Sequence, residues 1–144
     1  MNYFFSFPFF KVVLISIGIF VVLDLLWLAV IARSLYFQQL SYLALVERGR
    51  ISFNLPVGLL AQAIIAVGLV VFVSLGLLVQ NQLPTALAVG AFAGFVLYCT
   101  YDLTNLSFVK DYPVAITIVD IAWGTLQGLF AGVYVYFLTR WFVP

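Results

Sequence analysis

Three aspartates, Asp24, Asp102 and Asp120, stand inside stretches that are otherwise apolar and whose only other charged residue is Lys11, at the far end of the first. An isolated charge in such surroundings is too costly to persist, so each carboxyl must bind a proton or a cation, meet a polar solute, or be held by hydrogen bonds. Two of the acids open the same pattern: Asp24 is followed three residues later by Trp27, and Asp120 by Trp123. On a helix this spacing sets an indole beside each acid, its N–H as a donor and its ring as a wall. Around the third acid, Tyr98, Asp102 and Asn105 share one helical face, with Tyr101 and Thr104 flanking it. Gln62 supplies a polar group to the one remaining apolar stretch. The chemistry such groups offer is proton exchange, cation binding or recognition of a polar solute. Fixing helices against one another by hydrogen bonds is the plain structural alternative.

The elements that must position these residues are membrane spans. Of 144 residues, 66% are apolar and 8% charged, and a soluble domain of this length could not hide so much apolar surface. Mean hydropathy is +1.23. Four stretches, approximately 9–32, 54–79, 85–108 and 112–138, are long enough to cross roughly 30 Å of hydrocarbon. The expected fold is therefore all-α, an integral membrane four-helix bundle forming a single transmembrane domain over 1–144. The first stretch is longer than a signal-peptide core and lacks a basic n-region, so it reads as an uncleaved span. The only sizeable connection, Arg33 to Phe53, places aromatic and leucine residues between charged ends, the pattern of a short interfacial helix between spans one and two. The other two connections are short, which makes their flanking helices antiparallel neighbours.

Alternating helix direction brings the polar groups to one depth. Asp24 lies roughly 13 Å inward from Arg33, Asp102 roughly 12 Å from Lys110, Asp120 roughly 15 Å from the same turn, and Gln62 roughly 12 Å from Asn54. Three like charges at one level repel, which calls for protonated or partly hydrated acids, a captured cation, or Arg33 or Lys110 reaching inward. Gly90 and Gly94 form a ridge ending at Tyr98 and Asp102, and Gly124, Gly128 and Gly132 form another beyond Asp120; small-xxx-small spacing lets helices approach closely in lipid. The two DxxW units, on helices running in opposite directions, are roughly inverted copies. Trp141 and Tyr136 read as an aromatic belt near the exit of the last span.

Several classes of function drop out. The net charge of +1 and the lack of a basic run argue against nucleic acid as a partner. Histidine is absent, removing the commonest metal ligand and neutral-pH base, and no HExxH, GxSxG or DDxxD-like cluster occurs, so neither a metal site nor a cofactor is expected. Cys99 is alone and cannot form an intrachain disulfide. Arg33, Arg48, Arg50 and Lys110 fall on one side, against Lys11, Arg140 and the terminal amine on the other. This bias puts the long loop in the cytoplasm and both termini outside, with Arg48 and Arg50 as topology determinants and anionic-lipid contacts.

At VLDLLWL of the first span, YDLTNL of the third and VDIAWG of the fourth, the chain resembles a bacterial family of four-span inner-membrane proteins catalogued as domain of unknown function 2177. The resemblance extends over essentially the whole chain, including LYFQQL after the first span. It implies a bacterial inner (cytoplasmic) membrane location and puts Asp24, Trp27, Asp102, Asn105, Asp120 and Trp123 at motif positions, but it supplies no activity.

Three readings follow from the residues. The leading one is a proton- or cation-coupled carrier of a small solute working through the aspartate layer; four spans leave little room for an aqueous path, so a homodimer is expected. The second is a membrane-embedded enzyme on a lipid or isoprenoid substrate, with one aspartate as general acid, another as base, and Trp27, Trp123 and Tyr98 lining the cavity. The third is a non-catalytic structural or accessory subunit in contact with membrane lipids and a membrane protein partner.

Overall fold

A computed structural model describes residues 3–142. Helix α1 (Phe7–Leu26) starts where Ser6 caps it, its side chain accepting the Phe9 N–H at 3.3 Å, with Pro8 in the first turn where the missing donor costs least. The helix then widens into a π-helical turn, Trp27–Ile31, closed by the Ala32 N–H donating to the Trp27 carbonyl at 2.8 Å. The chain turns at Ala32 and re-enters a short helix, α2 (Arg33–Leu40). This is the short helix expected between spans one and two.

The remainder of that connection is a miniature hairpin, β1 (Val46–Glu47) antiparallel to β2 (Arg50–Ile51), which the sequence reading did not anticipate. Its two central residues, Arg48 and Gly49, both have positive φ, 51° and 71°, as a mirror-image hairpin turn requires. In the sequence the charged run around Gly49 is legible only as a topology signal, and strands this short leave no alternation to read.

Three long helices follow. α3 (Leu55–Val79) is capped by the Asn54 side chain, α4 (Leu83–Phe108) carries Pro84 in its first turn, and α5 (Val114–Phe142) begins after Pro113. With α1 and its π turn these give four helices, among the described residues, long and apolar enough to cross a membrane. The spans differ from expectation mainly at their ends. The first begins at Phe7, because Ser6 is a better stop than composition suggests, and the last runs to Phe142 rather than 138. Between 17% and 44% of each span's most apolar window is buried within the chain, so most of that surface is left for lipid.

The tightest seam joins α4 and α5. A Cβ at Gly90 would strike the Gly128 carbonyl, one at Gly94 the Gly124 carbonyl, and one at Gly132 the Ala86 carbonyl. Backbone therefore lies on backbone along this seam, which only glycine permits. Near the termini the bundle is filled by Phe9, Val12, Val70, Val73, Leu77, Ala86, Val135 and Tyr136, and at mid-depth by Phe20, Ala66, Leu69, Ala93 and Ala131. Tyr136 is thus a core residue rather than part of an aromatic belt, whereas Trp141 is exposed. The apolar filling stops short of the loop end, where the acids sit.

Candidate functional site

Asp24 lies on the buried stripe of α1 that also presents Val12, Ser16 and Phe20. One carboxyl oxygen accepts the Trp123 indole N–H from α5 at 3.1 Å; the other accepts the Gln62 amide from α3. Asp120, one turn earlier on α5, accepts the Tyr36 hydroxyl of α2. The same tyrosine oxygen accepts the Trp27 indole N–H at 3.2 Å. The two indoles stack face to face, ring centroids 4.4 Å apart and planes 5° from parallel.

This geometry corrects the simple reading of the DxxW units. Neither tryptophan serves the acid of its own tetrapeptide. Trp123 of α5 donates to Asp24 of α1, and Trp27 of α1 reaches Asp120 of α5 through Tyr36. The inverted units interlock across the α1–α5 contact, with the stacked rings between them. The acids' hydrogen-bond donors are amide, indole and phenol groups, not Arg33 or Lys110.

Asp102 is fully buried on α4; one of its oxygens accepts the Tyr112 hydroxyl at 3.1 Å, and the other has no hydrogen-bond partner among the described residues. Asp120 lies within Coulombic reach of Asp24 and Asp102, and Tyr98 of all three. Tyr98 packs its ring on Gly124 and donates to the Gln127 side chain at 3.0 Å, while the Gln127 amide donates to the Phe20 carbonyl at 3.4 Å.

The other candidates fall outside this network. Tyr101 is 65% exposed, because it precedes Asp102 by one residue and so lies about 100° around the helix from it. Asn105 is half-buried toward the end of α4, and its backbone carbonyl caps the helix by accepting the Val109 N–H. Among the described residues no group of three His, Cys, Asp or Glu side chains comes together to hold a metal ion.

Tyr36, Tyr112 and Gln127 are the partners that sequence reasoning missed. Gln127 carried a readable signal, since it follows Asp120 by two helical turns on the buried face. Tyr36 carried little, because the π turn between it and Trp27 shifts the helical phase. Burial, and then the nearby charge of Asp120, push the Tyr36 phenol above its ordinary range, so it stays a donor at neutral pH.

A cavity of about 580 Å³ opens beside this network. Leu28, Ala29 and Val30 of the π turn, Arg33, Tyr36 and Phe37 of α2, and Arg50, Ile51 and Phe53 of the hairpin region line it. Tyr36 is therefore both a wall of the cavity and the partner of Asp120.

Four lipid-crossing helices around a layer of hydrogen-bonded carboxyls define a polytopic membrane protein with a polar interior at one end. The chain belongs to the family described as predicted membrane protein (DUF2177), whose sequence pattern matches residues 9–137. No curated protein and no solved structure matches it.

Proposed function

We propose that the protein is a proton-coupled carrier that loads a small amphipathic solute into the cavity beside Asp120 and exchanges a proton there through Tyr36. The observation that carries this reading is the double role of Tyr36, which lines the cavity and donates its hydroxyl to the half-buried carboxyl of Asp120. Further toward the opposite face the bundle holds three more polar groups, the hydroxyls of Ser16, Tyr134 and Ser74, all buried and without hydrogen-bond partners among the described residues. By helical rise Ser16 lies roughly 12 Å beyond Asp24, and Ser74 roughly 18 Å beyond Gln62. Such hydroxyls are where water would be held along a path.

The packing fits alternating exposure. α4 and α5 are locked by their glycines, whereas bonds ending on Asp24 and Asp120 tie them to α1 and α2; a proton on either acid alters those ties. In this reading the cavity opens on the cytoplasmic side of a bacterial inner membrane, which the basic-residue bias supports, and a second copy completes the aqueous route.

The same cavity favours one other reading, a membrane-embedded enzyme in which Tyr36 and Asp120 deliver a proton to a lipid-like substrate. One experiment separates the two. Proteoliposomes filled with a pH-reporting dye are challenged with dioctanoyl phosphatidic acid, and their lipids are then analysed by mass spectrometry. The carrier gives protein-dependent proton movement with the lipid unchanged, and Asp120→Asn lowers the rate roughly 100-fold, the scale of a lost proton-transfer group. Wild-type rates in Asp120→Asn would overturn the proposal, and a new lipid product without proton movement would replace it with the enzyme.

A further inference from the structure

The cavity's lining is divided. Leu28, Ala29 and Val30 belong to the last turns of the first span and Phe53 precedes the second, so this wall sits at the hydrocarbon boundary. Arg33 and Arg50 stand just beyond it, one on α2 and one on the hairpin, and the lining contains no aspartate or glutamate. Glu47 is paired with Arg50 across the hairpin but is not part of the wall. Two guanidinium groups beside an apolar wall are complementary to an anion that carries its own apolar body, and the planar fork of arginine suits phosphate oxygens.

We infer that this cavity is a headgroup site for an anionic phospholipid, with Arg33 and Arg50 holding the phosphate and Leu28, Val30 and Phe53 receiving the start of the acyl chains. The volume, about 580 Å³, accommodates a headgroup and glycerol rather than a whole lipid, which leaves the chains in the bilayer. The hairpin is what makes the site: its turn, set by positive φ at Arg48 and Gly49, brings Arg50 back over α2. The assignment rests on the carrier reading only in naming the class of solute at its loading cavity, and occupancy does not require turnover.

Native mass spectrometry of the full chain, released from nanodiscs holding equal dioleoyl phosphatidic acid and phosphatidylcholine, tests it. Retention of phosphatidic acid is expected to exceed that of phosphatidylcholine by about tenfold or more, and to fall to parity in Arg33→Gln/Arg50→Gln. Arg50→Gln alone, on the exposed hairpin and away from the bundle core, should lose most of the preference while eluting as the native chain does. Arg48→Gln makes the same change in charge from outside the lining and should keep it. Equal loss in Arg48→Gln, or no preference in the native chain, would overturn the site in favour of diffuse surface charge. Displacement of the lipid by millimolar inorganic phosphate, with no dependence on acyl chains, would overturn the lipid as its source. Asp120→Asn should keep the lipid preference while losing proton movement. A kept preference with wild-type proton movement would mean that the carrier reading alone has failed, and lost proton movement with no lipid preference in the native chain would mean that the headgroup site alone has failed.

Discussion

Asp24 and Asp120 open the same tetrapeptide pattern on antiparallel helices, yet they have different neighbours. Asp24 is enclosed, each oxygen taking a donor from a side chain inside the bundle, Trp123 and Gln62. Asp120 takes a hydroxyl from a residue that also walls a cavity, Tyr36. The difference arises where α1 ends. The π turn at Trp27–Ile31 and the break at Ala32 fold α2 back toward α5, and nothing equivalent follows Trp123, because α5 continues through Gly124 and Gly128 against α4. One acid is thereby enclosed by donors of the bundle, and the other is tied to a cavity wall, where the proposed carrier would exchange its proton.

The contrast depends on α5 being held at one depth, and the largest structural effect should come from removing that restraint. Gly94→Leu drives a side chain into the Gly124 carbonyl and should destabilise the bundle by roughly 3 kcal/mol, the upper end of overpacking penalties. Detergent-titrated loss of helical circular dichroism measures it. A stability like that of the native chain would mean that the seam is soft and that the two acids are not held as described.

Next in size is the comparison itself. Asp24→Ala leaves the Trp123 and Gln62 donors buried without an acceptor and should cost about 1–3 kcal/mol in the same titration. Asp120→Ala frees a phenol that can turn toward the cavity and should cost nearer 0.6 kcal/mol, the average found for hydrogen bonds in helical membrane proteins. Equal losses would erase the distinction between a fixed acid and an exchanging one.

Much of this arrangement is legible without coordinates. Four spans follow from hydropathy, because lipid leaves helices little alternative, and the acids announce themselves by their cost in such surroundings. Gly90, Gly94, Gly124, Gly128 and Gly132 stand at small-residue spacing on the two helices that the structure packs together. What could not be read is who pairs with whom. A DxxW unit gives the face of a helix, but the partner across the α1–α5 contact depends on relative depth and rotation, which are set by packing in three dimensions. Tyr36 was harder still. A wider turn changes helical phase without changing composition, so a tyrosine that looked like one of several interfacial aromatics lands on Asp120. The hairpin was hidden for a related reason, since its shape comes from two backbone angles at Arg48 and Gly49.

The smallest expected effect is in the pH dependence of stability, and it bears on Tyr36 alone. Its phenol is raised above the ordinary tyrosine range of about 10, by burial first and by the charge of Asp120 second. Above that pH the unfolded chain ionises this tyrosine and the folded chain does not, so the folded state holds the extra proton and stability falls as pH rises. The contribution is complete below about pH 10 and is lost at higher pH. Tyr36→Phe should therefore flatten the alkaline limb of a stability–pH curve, while at neutral pH it shifts the curve by the lost hydrogen bonds without changing its slope. Tyr112, raised mainly by its own burial, keeps its part of the slope in that variant. An alkaline limb unchanged in Tyr36→Phe would show that this hydroxyl is wet and free to ionise. Asp120 would then meet water directly, and the proton would reach it without the tyrosine.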